Sequence, residues 1–157
     1  MLDIIWGLKT TAVFDVWSLE HLLNGLSIGA GVLIFNHKNL GQIFSTLNDR
    51  LFPGRLINII KRKYDLILIL FLAYFWESFE HYLETGLAGQ RVVDWFYGVE
   101  FWPNRLLADP LLLVLGYLIV KKWSQLVWPA RAFSMIWLFF NIFIFPHSMY
   151  LQKLLGS

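Results

Sequence analysis

The sequence predicts an all-α polytopic membrane protein: a bundle of four transmembrane helices with an interfacial amphipathic helix between the first two. Composition is the first reason, since 57% of the 157 residues are hydrophobic, only 15% are charged and 28 are aromatic (14 Phe, 8 Trp, 6 Tyr). A chain this short has too little interior to hide so much apolar surface from water. The second reason is that four apolar stretches, 14–35, 65–84, 104–123 and 129–147, approach the roughly 20 residues that cross a hydrocarbon core of about 30 Å. The third is that none of them alternates with period two, so helices rather than a barrel satisfy the backbone in lipid.

The elements follow in order within one membrane domain, 1–157. The N-terminus has no basic region ahead of an apolar core and carries Lys9 where a signal segment is uninterrupted, so it reads as uncleaved. After span one, Leu40, Ile43, Phe44, Leu47 and Leu51 recur at helical spacing opposite Asn39, Gln42, Asn48 and Asp49. That pattern predicts a helix over 39–52 lying in the interface, stopped by Pro53-Gly54. The connection 85–103 holds Gly86, Gly89, Trp95, Phe96, Tyr97, Gly98, Phe101 and Trp102, the composition of a loop at headgroup depth.

Orientation follows from the basic residues. Nine (Lys38, Arg50, Arg55, Lys61, Arg62, Lys63, Lys121, Lys122 and Arg131) flank one side and four (Lys9, Arg91, Arg105 and Lys153) the other. The positive-inside rule then places both termini outside. A formal net charge of +2 from 13 basic and 11 acidic residues is too even for a nucleic-acid binder, and the lipid bilayer is the predicted partner. The absence of cysteine excludes disulfides, thiolate metal sites, iron–sulfur clusters and cysteine nucleophiles.

Charged residues inside spans are costly and each needs an account. Span one carries Asp15, Glu20, His21 and Asn24 in its outer half; span two ends with Glu77, Glu80, His81 and Glu84; span three begins with Asn104, Arg105 and Asp109. The spacing i, i+3, i+4, i+7 puts the four span-two residues on one helix face. Glu77, Glu80, His21, Asp109 and Asn104 are therefore the candidate catalytic residues, with His81 a candidate cofactor ligand. Glu77 and Glu80 suit acid/base work, or alternatively pair with Arg91 or Arg105. Asp109, before Pro110, is either an N-cap or a site residue. Glu84 reads as a solvated rim residue, and Glu20 as facing water or headgroups. Ser27 and Asn141 suit interhelical hydrogen bonds, and Gly25, Gly29 and Gly31 close helix contact. Metal, haem, pigment and quinone stay open as cofactors. The Glu-x-x-His pairs of di-iron bundles are absent, and the spacing favours an unliganded network.

The runs His21-Leu-Leu-Asn24-Gly25 and Trp76-Glu77-Ser-Phe-Glu80, followed by Tyr97-Gly98, Asn104 and Asp109, resemble the VanZ-like small bacterial inner-membrane proteins. They also resemble a related uncharacterised family with His-x-x-His-Gly and Trp-Glu-x-x-Glu motifs, in which Asn24 stands at the second histidine. The resemblance covers residues 14–120 and implies a multi-pass protein of the bacterial inner membrane with a shared polar site. Two functions compete on this reading. One is a pocket in the outer leaflet that acts on a lipid-linked or amphipathic molecule. The other is an accessory subunit of a larger membrane complex, contacting partner helices, a pigment or a quinone, or its own copies. A transporter is weaker, because four spans without inverted repeats enclose little pathway. No Ser-His-Asp arrangement, phosphate loop or dinucleotide fingerprint is present.

Overall fold

A computed structural model of the chain describes residues 2–36 and 54–144. The expected interfacial helix over 39–52 and the end of the fourth span at 145–147 lie outside the described residues. The described chain is helical: α1 (Leu2–Ile5), α2 (Ser18–Phe35), α3 (Gly54–Glu84), α4 (Gln90–Phe96), α5 (Asp109–Lys122) and α6 (Val127–Phe139). A π-helical turn, Asn104–Ala108, leads into α5, and a second, Phe140–Ile144, continues α6. Three segments are long and apolar enough to cross a membrane: Ser18–Phe35, Lys63–Glu84 and Ser124–Ile144.

Helix α2 starts at Ser18, four residues later than the start of the apolar stretch, because Asp15 and Ser18 cap each other. The Asp15 carboxylate accepts from the backbone N–H groups of Trp17 (2.8 Å) and Ser18 (3.0 Å), and Ser18 Oγ accepts from Asp15 N–H (3.0 Å). This reciprocal arrangement satisfies donors that open a helix. The preceding arm turns back on itself through a bridge between Trp6 and Phe14, which positions Lys9 at the helix ends.

Helix α2 is central and packs on α3, α5 and α6. Its contact with α5 is backbone to backbone. A Cβ on Gly25 would stand 2.2 Å from the Leu113 carbonyl oxygen, and one on Gly116 would stand 2.3 Å from the Leu22 carbonyl oxygen. Small residues permit such approach between membrane helices, where burial of apolar surface supplies little drive. Gly31, by contrast, faces open space. Leu23, Leu26, Ala30, Val120 and Ala130 fill one side of α2, and Val32, Ile69, Ala73, Leu113 and Tyr117 the other. Large apolar side chains point outward instead, among them Phe71 (61% exposed), Leu111 (64%), Trp128 (75%) and Phe143 (72%), a surface suited to lipid rather than water.

The start of α5 answers whether Asp109 begins a helix or lies within one. Helical backbone is continuous from Asn104, and the Asp109 N–H bonds to the Asn104 carbonyl through the wide π turn. Pro110 has no N–H to give the Leu106 carbonyl four residues back. The Tyr74 hydroxyl of α3 donates to that carbonyl (3.2 Å), so the proline is accommodated by a neighbouring helix. Asp109 thereby lies inside the bundle, with its side chain turned toward α2 and α3.

The 85–103 connection contains a helix the sequence reading left as loop. Helix α4 ends because Tyr97 (φ 60°) and Gly98 (φ 125°) both take left-handed backbone. That turn lets Phe101 N–H reach the Lys9 carbonyl (2.8 Å), tying the loop to the N-terminal arm.

Candidate functional site

The first turn of α2, the last turns of α3 and the start of α5 meet at one end of the bundle, together with the arm at Lys9 and the loop at Glu100. Two polar clusters form there, and they differ in how their charge is balanced.

The first is centred on Glu84, which is 2% exposed. Its carboxylate receives Lys9 Nζ on one oxygen and Arg105 Nη2 on the other, plus the Glu100 backbone N–H at 3.1 Å. Glu84 is thus a buried ion-pair centre, which corrects its reading as a solvated rim residue. The rim assignment failed because the arm supplying Lys9 folds back from far away in sequence. Arg105 Nη1 lies 2.9 Å from His81 Nδ1. The guanidinium keeps its protons, so that ring nitrogen accepts. The structure therefore gives His81 to Arg105, and His21 faces other groups. Arg105 also serves Glu100 (3.5 Å), whereas Arg91 is exposed.

The second cluster brings His21, Glu77 and Asp109 together from three helices. His21 Nδ1 is 3.5 Å from Glu77 Oε1, and His21 Nε2 is 3.3 Å from Asp109 Oδ2. All three residues are buried, with Glu77 1% and Asp109 0% exposed. Neither Glu77 oxygen accepts a hydrogen bond among the described residues, and neither does Asp109 Oδ2. The other Asp109 oxygen is held by the Ser18 hydroxyl (3.2 Å). Asn104, 0% exposed, lies 3.5 Å from Ser18 Oγ through Oδ1 and donates through Nδ2 to Glu100 Oε1 (2.8 Å). A neutral imidazole carries one N–H, so it can donate toward only one of its two carboxylates. The arrangement is accordingly built to share a proton or a cation.

His21 also lines a cavity of about 370 Å³. Trp17, Trp76, Leu83, Trp95, Phe96, Leu138 and Ile142 make its apolar wall; Lys9, Asp15, Glu20, His21, Asn24, Glu80 and Glu100 make its polar one. Glu77 and Asp109 stand behind His21 rather than on the cavity surface. Glu80, half-buried, is on that surface and separate from Glu77. Burial pushes the Glu100 carboxyl well up from its ordinary value, and the Asp109, Glu80 and Asp15 carboxylates push the same way against Arg105. Glu20 is buried and takes the Ser134 hydroxyl of α6, which corrects the expectation that it faces water or headgroups.

Of the candidate residues, His21, Glu77, Asp109 and Asn104 converge, and Glu80 and His81 lie to the side. Lys9, Ser18, Glu100 and Ser134 belong to the same assembly and were not anticipated; Ser18 alone had a local signal, its Asp15-x-x-Ser18 cap spacing. Asp65 was missed as well: at the opposite end of the bundle it takes Asn36 Nδ2 and faces the Tyr117 hydroxyl (3.5 Å). Comparison with family models, curated proteins and solved structures gave no match.

Proposed function

We propose that this chain is a four-span membrane protein whose outer-leaflet cavity binds an amphipathic molecule and presents its head group to His21. The observation that carries the reading is the division of the cavity into an aromatic wall and a carboxylate wall. An apolar tail suits the former, and a head rich in hydrogen-bond donors suits the latter. Lys9 and Arg105, the nearby cations, are both engaged by Glu84, which leaves the polar wall acidic. A hydroxyl-rich or amine head group therefore fits better than a phosphate.

The fourth span on this reading is Asn104–Lys122, whose 19 residues would measure about 28 Å as helix. Its placement sets Asp109 at the depth of His21 and Glu77. His21 is the group that lines the cavity, and Glu77, beside Nδ1, orients the ring. The VanZ-like resemblance is consistent with a small membrane protein of this kind.

Native mass spectrometry of the detergent-purified protein tests the binding reading. Alkyl glucoside and alkyl ammonium probes should be retained in preference to an alkyl phosphate of equal chain length. Leu138→Trp, which fills the apolar wall, should remove the adducts without loss of helical content. Preference for the phosphate, or adducts unchanged in Leu138→Trp, would refute it.

A further inference from the structure

We propose that His21, Glu77 and Asp109 form a binding site for one divalent first-row transition ion. The inference stands on the donor set alone and does not require an amphipathic ligand in the cavity.

One donor atom from each residue lies within 4.8 Å of the other two. Ligands on a single ion, with bonds of about 2.0–2.2 Å, stand about 3–4 Å apart, so small side-chain adjustments close the set. The His21 Nε2 to Asp109 Oδ2 separation of 3.3 Å is already in that range.

The unmet oxygens point the same way. Glu77 is 1% exposed and Asp109 0%, yet three of their four carboxylate oxygens accept no hydrogen bond among the described residues. A buried carboxylate is retained when it is paired, hydrogen-bonded or coordinating a metal. The neighbouring cluster supplies the contrast. Glu80, Glu84 and Glu100 also bring three donors within 4.8 Å, but there Lys9 pairs with Glu84 and Arg105 with Glu84 and Glu100. No lysine or arginine forms an ion pair with Glu77 or Asp109 among the described residues.

The surroundings have the form of a metal's outer shell. Ser18 holds Asp109 Oδ1 and leaves Oδ2 directed at the imidazole, while Asn104 links Ser18 to Glu100. One imidazole with two carboxylates suits zinc, manganese or ferrous iron better than calcium or magnesium, which take all-oxygen sets. Three protein donors leave a fourth position open for water.

The test uses the full chain in detergent, stripped with chelator, loaded separately with Zn²⁺ and Mn²⁺, desalted and analysed for metal. On the order of one ion per chain is expected, with a higher Tm that chelator reverses. Asp109→Asn, His21→Gln and Glu77→Gln should each lose the ion. Glu80→Gln should bind as the parent does. Where a variant does not fold, the reversible Tm shift of the parent decides. No retained ion and no Tm shift in the parent would overturn the site, as would full retention in folded Asp109→Asn or loss confined to Glu80→Gln. A Tm response to Mg²⁺ or Ca²⁺ alone would overturn the assigned class of ion.

Discussion

Arg105→Met is expected to lower stability by about 3–5 kcal/mol, the loss that follows when one member of a buried charge cluster is removed. Glu84 has side-chain exposure of 0% and takes Lys9 on one oxygen and Arg105 on the other. Without the guanidinium, Glu84 retains one cation, Glu100 loses the cation at 3.5 Å, and His81 Nδ1 loses its donor. The three elements joined through Arg105 are the end of α3, the loop at Glu100 and the start of α5, so the variant should also loosen the arm that carries Lys9. A combined Lys9→Met, Glu84→Leu, Arg105→Met variant should be less damaged than Arg105→Met, because it leaves no carboxylate stranded at Glu84. Thermal or denaturant unfolding in detergent checks both statements. An Arg105→Met protein that unfolds with the parent would show that this cluster does not hold the bundle end together.

Gly25→Val should be comparably severe, for a different reason. The atom that a Cβ at this position would meet is the Leu113 carbonyl oxygen, at 2.2 Å, which is backbone and cannot rotate aside. Overpacking commonly costs about 1–3 kcal/mol where side chains can yield, and here the α2 and α5 backbones themselves must separate, so the upper end of that range or beyond is expected. The separation has a consequence at the site. His21 lies one turn before Gly25 and Asp109 one turn before Leu113, so parting the helices pulls the imidazole from the carboxylate that stands 3.3 Å away. Gly31→Ala is the matched control, since Gly31 faces open space. It should unfold at the parental temperature, and a loss as large as that of Gly25→Val would contradict the packing described here.

Hydropathy and period located the three helices apolar enough to cross a membrane, because both are local properties of a continuous stretch; the expected span over 104–123 is helical from Asn104 but is not one of the three. They misplaced the start of α2, where the Asp15 and Ser18 cap overrides an apolar run that begins at Phe14. They also left α4 as loop, since its seven residues are too few to show a period and its end is set by left-handed backbone at Tyr97 and Gly98. The grouping of Glu77, Glu80, His81 and Glu84 on one face of a helix was legible from their spacing. The division of labour among them was not. Rotation about the α3 axis turns Glu77 toward His21 and Asp109, Glu80 to the cavity, and Glu84 to Lys9 and Arg105. Which neighbour each meets depends on residues far off in the chain, and Lys9, on an arm whose sequence offered it only a place in the count of outer basic residues, decides the fate of Glu84. The convergence of His21 with Asp109 was legible in depth alone; the π turn before Pro110 and the glycine contact beneath it fix the distance.

The central claim is that Glu77 serves a site rather than the fold, and thermal unfolding of Glu77→Gln in the presence of a chelator tests it most directly. A structural carboxylate loses partners when it becomes an amide, whereas Glu77 is buried, accepts no hydrogen bond among the described residues and has no basic side chain other than His21 within ion-pair distance. Replacing it by the isosteric amide therefore removes no hydrogen bond, as is expected of a residue retained for function rather than stability. The account predicts that Glu77→Gln unfolds at or above the parental temperature. A Tm lower by several degrees, corresponding to about 1 kcal/mol or more for a chain of this size, would make Glu77 a structural partner and contradict the account.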